Sequence, residues 1–251
     1  MTALIRAVSS SIGKKLLMGL TGLALCGFLV VHLSGNLLLY AGADEYNAYA
    51  HALHAQTILL PIAEVGLFAL LILHIVLGIV TARDNWAARK YGYDQKKSKV
   101  VEPTSAGLPN LASKLMVPTG IIVLLFLLVH LGHFKVNILS PGEDPDEAAK
   151  AMRILGEGFT QTVYLIGTLV LGFHLVHGFQ SAFQSLGINH PKYTKGIKVF
   201  GFIFAAVIAL GFASFPLMGL LGYFKGDAST AAVSQPADGE AAKKPAAAEL
   251  H

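Results

Sequence analysis

The sequence reads as an all-α membrane protein. Five transmembrane helices are expected within residues 1–225, the first four forming a four-helix bundle, followed by an Ala-rich disordered tail at 226–251. Three observations carry that reading. Of 251 residues, 54% are apolar and only 14% charged, with mean hydropathy +0.59, whereas soluble domains carry about 25% charged residues. Five runs are nearly free of charge and long enough to cross a hydrocarbon layer of about 30 Å. Histidines fall inside four of those five runs, an expensive placement in lipid. The same composition excludes a disordered chain, which is poor in apolar residues. The single cysteine, Cys26, excludes both an intrachain disulfide and a C-x-x-C-H haem attachment.

The runs, in order, are 16–40, 58–82, 115–134, 159–186 and 199–224. The first is too long to be a cleavable leader and contains His32. The second carries Glu64 near its start and His74. The third holds His130 and His133, and the fourth His174 and His177. The fifth has no histidine. Pro61, Pro118 and Pro216 lie near the ends of runs, where a missing backbone donor matters least. The acidic stretch 142–157 is expected to form a short surface helix. No internal repeat of useful length stands out.

Lysine and arginine set the direction. The N-terminal stretch, 83–114 and 192–198 hold thirteen of the nineteen, and the opposite face holds six. The positive-inside rule then puts the N-terminus in the cytoplasm and the C-terminus outside, as five crossings require. A pI near 9.1 reads as this topology signal and not as nucleic-acid binding.

With that direction, helical rise sorts the histidines into two layers. His32 and His130 lie roughly 12 Å below the outer surface, and His74 and His174 roughly 12 Å from the inner one. The layers are separated by roughly 10–15 Å along the membrane normal. For one histidine alone, a hydrogen-bonded core residue or a proton-relay member is the plain alternative. Two stacked imidazole pairs in one bundle point instead to two b haems, each held by two axial ligands. His133 and His177, three residues closer to the surfaces, are alternatives as ligands or as contacts for a propionate or a quinone. Gly35, Gly78 and Gly178 stand one turn from ligand positions, and read equally as clearance for a porphyrin or as close helix packing.

At these residues a family comes into view. The runs SSSIGKKLLMGLTGL (9–23), HLSGN (32–36), LHIVLG (73–78), LLVHLGH (127–133) and GFHLVHGFQSAF (172–183) share one pattern. Over residues 5–224 the chain resembles the five-helix, di-haem cytochrome b subunit of succinate dehydrogenase and fumarate reductase, the b558 type. The resemblance implies His32 and His130 as ligands of the outer haem iron, and His74 and His174 as ligands of the inner one. It implies an FAD-bearing flavoprotein subunit and an iron–sulfur subunit docked on the cytoplasmic face, over the basic segment 83–114. It implies a multi-pass subunit of the bacterial cytoplasmic membrane that passes electrons to menaquinone or another quinone. Glu45, Glu64, His51, His54 and His133 are candidates for the quinone side. The plain alternatives are a headgroup-level carboxylate for Glu64 and an exposed loop for His51 and His54. Lys14, Lys15 and Arg83 either pair with propionates or snorkel to the membrane surface. The competing readings are a cytochrome b subunit of a hydrogenase or formate dehydrogenase, and a haem-free anchor or transporter with relay histidines.

Overall fold

The computed structural model describes residues 6, 9–87, 111–112 and 114–223, all helix or short connection. Helix α1 spans Ser11–Leu37 and is extended by a 3-10 turn, Leu38–Tyr40. It is followed by α2 (Ala43–His54), α3 (Leu59–Ala87), α4 (Met116–Phe134), α5 (Glu147–Gly156), α6 (Gly158–Ser185) and α7 (Pro191–Leu220). Five of these, α1, α3, α4, α6 and α7, are long and apolar enough to cross a membrane. The expected disordered tail lies outside the described residues, as do Arg89, Lys90, Lys96, Lys97 and Lys99 of the basic segment.

Two spans run further than hydropathy suggested. Helix α3 continues to Ala87, beyond the expected 82, because Asp84 is neutralised by an ion pair with Lys14 of α1. Helix α7 begins at Pro191, well before 199. His190 caps it by accepting from Lys192 N (3.2 Å), and Pro191 has no donor to lose in the first turn. Three lysines, at 192, 195 and 198, therefore ride on helix where hydropathy alone placed a loop.

The acidic segment needs a correction. Its helix, α5, is capped by Asp146, which accepts from Ala149 N at 2.8 Å. It does not lie free on the surface: Ala148, Ala151, Ile154 and Leu155 are buried. Helices α2 and α5 pack on each other at one end of the bundle, where Asn47 Oδ1 accepts from Ala148 N (3.0 Å). That end also carries the Lys135–Glu64 ion pair (2.5 Å). The Lys14–Asp84 pair marks the opposite end.

Helix α6 is the centre of the bundle, packing on α1, α4 and α7, while α1 also packs on α3. The helices therefore run α3–α1–α6–α4 around the bundle, with α1 and α4 on one diagonal and α3 and α6 on the other. Close approach rests on glycine. A Cβ at Gly19 would meet the Ala182 carbonyl at 3.1 Å, and one at Gly172 would overlap Ala209. This is the small-residue packing of membrane helices. Outward positions such as Val65, Ile72, Leu128, Phe202 and Leu210 are exposed and apolar, as a lipid-facing surface must be. Hydroxyls within the spans donate to carbonyls about one turn back, at Thr21, Ser34, Thr81, Thr119, Thr168 and Ser214. They thus need no water in hydrocarbon.

Candidate functional site: two histidine pairs in the bundle

The first pair sits toward the end capped by α2 and α5. His32 of α1 and His130 of α4 face each other across one diagonal, ring centroids 5.8 Å apart and planes at 83°. Aromatic rings enclose them. Phe28 stacks on His32 at 5.1 Å and Phe212 of α7 lies at 5.5 Å. Phe134 and Tyr164 flank His130 at 5.3 and 5.9 Å. Asn36 Nδ2 donates to the His32 carbonyl (2.7 Å) and lies 3.4 Å from its Nδ1.

The second pair belongs to the other diagonal, His74 on α3 and His174 on α6. Each ring is held from a neighbouring helix by a threonine. Thr21 Oγ1 is 3.1 Å from His74 Nδ1, and Thr119 Oγ1 is 3.3 Å from His174 Nδ1. Beside each threonine a glycine clears the ring: a Cβ at Gly22 or Gly120 would be 3.4 Å from Cε1 of His74 or His174. Eleven residues of helix separate Thr21 from His32, and Thr119 from His130, so the two levels are about 16 Å apart.

The donor set suits haem. Among the described residues no three His, Cys, Asp or Glu side chains converge. A protein-held zinc ion takes three or four protein ligands, whereas haem iron takes only its axial ligands from the protein. His32 and His130, 5.8 Å apart centroid to centroid, stand a few tenths of an ångström short of the spacing of roughly 6 Å at which two imidazoles hold one metal through bonds of about 2 Å.

A family model described as the succinate dehydrogenase/fumarate reductase transmembrane subunit matches residues 93–210. Over this stretch, just under half of the chain, the sequence is similar to that family. The match runs from the connection after α3 into α7, and so takes in His130, His133, His174 and His177. No curated protein and no solved structure gave a match.

The remaining candidates are dispersed. His133 is buried and its Nδ1 lies 3.1 Å from Tyr164 Oη. His177 is half-buried on α6, one turn beyond His174. Glu64 is tied to Lys135. Glu45 is exposed, its carboxylate folded over Gly42 at the start of α2. His51 and His54 are exposed, and both line a groove of about 490 Å³ with Asn137, Asp144, Glu147 and Lys150. That lining is polar and acidic, unlike the apolar slot a quinone needs. Glu45, Glu64 and His133 do not line it, so the five quinone candidates are not gathered into one site. Of the three basic candidates for propionates, Lys14 is engaged by Asp84.

The three glycines meet side chains of other helices, as the packing alternative expects. Gly35 seats the Tyr49 ring of α2, whose hydroxyl would be 2.7 Å from an added Cβ. Gly78 and Gly178 face methionine methyls, Met18 at 3.6 Å and Met116 at 3.5 Å. Sequence reasoning missed Thr21, Thr119, Met18 and Met116. A signal was present: M-x-x-T-G recurs at 18–22 and 116–120, each followed by a histidine eleven residues after the threonine.

Proposed function

We propose that this chain is the membrane-anchor subunit of a succinate dehydrogenase or fumarate reductase complex, a di-haem cytochrome b of the b558 type that carries electrons from an iron–sulfur subunit to a quinone. His32 and His130 would hold one haem, and His74 and His174 the other. The haems, when bound, supply one-electron redox centres at two depths of the membrane. The observation that carries the reading is that His32 and His130 face each other across one bundle diagonal, while His74 and His174, each held by a threonine of a neighbouring helix, stand on the other diagonal at a second level. His130 is the ring that faces His32, while His133 is engaged by Tyr164, which favours His130 as the ligand.

The rest of the reading follows from the chain's own groups. The aromatic enclosure around His32 and His130 keeps water away from both rings. The lysine-rich end, with Lys14, Lys114, Lys192 and Lys195, faces the cytoplasm by the positive-inside rule. There it presents a basic surface to the iron–sulfur and FAD subunits. The opposite end, bearing α2, α5 and Glu64, then faces outward in a bacterial cytoplasmic membrane. A quinone becomes a quinol by taking up two electrons and two protons. Glu64 lies at the head of a span beside Lys135 and is the best placed of the candidates to pass a proton; Glu45, His51 and His133 stand further from a common site. Menaquinone or another quinone is the acceptor.

The test is a reduced-minus-oxidised spectrum and haem quantification on the purified native complex. Two b-type haems for each copy of this chain, with flavin and iron–sulfur subunits co-purifying, are expected. A complex without a b-type α band would refute the haem assignment. Co-purification with a hydrogenase or formate dehydrogenase would replace the partners.

A further inference from the structure

Contacts around the second histidine pair repeat between the two halves of the bundle. In the first half, Met18, Thr21 and Gly22 of α1 meet Gly78 and His74 of α3. In the second half, Met116, Thr119 and Gly120 of α4 meet Gly178 and His174 of α6. Each residue on α1 finds its counterpart 98 positions later, and each on α3 its counterpart 100 positions later. His32 and His130 obey the first offset too. The bundle is thus two copies of one helix pair, which corrects the expectation that no useful repeat exists.

The hydrogen bonds of the repeated threonine have a direction. A hydroxyl has one proton to give. Thr21 Oγ1 lies 2.9 Å from the Leu17 carbonyl and 3.1 Å from that of Met18, and Thr119 Oγ1 lies 2.8 Å from Leu115 O and 3.1 Å from Met116 O. Carbonyls only accept, so the hydroxyl proton is committed to the backbone. What remains toward the histidine is an oxygen lone pair. The partner at 3.1 or 3.3 Å must then be Nδ1–H, and the ring's other nitrogen, Nε2, carries the free lone pair that a metal needs. No equivalent hydroxyl stands beside His32 or His130 among the described contacts; Asn36 is the polar neighbour of His32.

We infer that Thr21 and Thr119 are positioning residues for the haem held by His74 and His174. Each locks its histidine in the Nδ1–H tautomer and, by accepting that proton, strengthens Nε2 as a donor to iron. This rests on the di-haem reading and adds to it that the two sites are tuned differently: hydroxyls serve one, aromatic rings the other. A stronger imidazole donor favours ferric iron, so each threonine lowers the potential of its haem. Outer partners of this kind change metal affinity by about 10- to 100-fold when removed.

The test uses the native complex with its haems. Potentiometric titration in the visible and low-temperature electron paramagnetic resonance are recorded for wild type, T21V, T119V, T21S and T119S. His74→Ala identifies which centre belongs to the second pair. In T21V and T119V that centre's potential is expected to rise and its g-values to shift, with about tenfold weaker haem retention. The other centre stays unchanged, and both Ser variants return to wild-type values. Should a Val variant lose both centres, T21A and T119A provide the same comparison without the branched methyl. Unmoved potential and g-values in the hydroxyl-free variants would overturn the inference, as would equal shifts in both centres or failure of serine to restore. A wild-type complex lacking haem would instead remove the di-haem reading, and the threonines' role with it.

Discussion

At the scale of single residues, the two histidine pairs make separable predictions. His32→Ala or His130→Ala should abolish one b-type centre and leave the other, since each pair occupies its own diagonal and level. His74→Ala or His174→Ala should do the reverse. Haem content and redox titration of the purified variants check this. Retention of two haems in His130→Ala would transfer ligation to His133. Most ligand candidates were legible because an imidazole in hydrocarbon is costly and therefore conspicuous. The threonines were not legible. A span threonine normally back-bonds to its own helix, and Thr81 and Thr168 do only that. Whether its oxygen also meets a neighbour's histidine depends on how two helices rotate against each other.

At the scale of elements, α5 shows how far a short helix depends on its seat. Arg153 donates to both oxygens of Asp144, at 2.8 and 2.7 Å, and to Ser140 Oγ at 2.8 Å. These bonds hold the Asp144 carboxyl below its ordinary value. A lowered carboxylate pKa means that the pair contributes fully above about pH 4 and is lost as pH falls through the folded value. Amide exchange across α5 should therefore show an acid-activated step below about pH 4. Asp144→Asn should abolish that step and already loosen α5 at pH 7, by about 1–2 kcal/mol, roughly 5- to 30-fold in exchange rate. An Asn variant as protected as wild type at pH 7 would show that α5 is held by its apolar face alone. That face was hidden in the sequence. The segment reads as acidic because its charges dominate its composition, while its buried face is only five residues long, Ala148, Ala151, Met152, Ile154 and Leu155.

For the whole molecule, the direction of insertion is the consequential prediction. Cys26 is buried at 8% exposure, so single cysteines introduced elsewhere report cleanly. In intact cells an impermeant thiol reagent should label a cysteine placed at Glu143, between α4 and α5. It should label one placed at Lys195 only after permeabilisation. The opposite pattern would invert the subunit and move its partner-binding face. The number of spans was readable because hydrocarbon demands long apolar helices wherever the chain crosses. Their ends were not, since charges at Lys14, Asp84 and Lys192 are tolerated on helix once paired or lifted to the interface.

Composition and spacing alone determined that the chain is helical, crosses a membrane five times and carries histidines at two depths. Those properties depend on one helix at a time and on its solvent, and each is written locally. Tertiary structure alone decided which helices share a diagonal, that His130 faces His32, and that Thr21 and Thr119 grip the other two histidines. These are properties of pairs of helices. Their rotation and approach are set by Gly19, Gly172 and the other small residues where the backbones meet, and no single span contains that information.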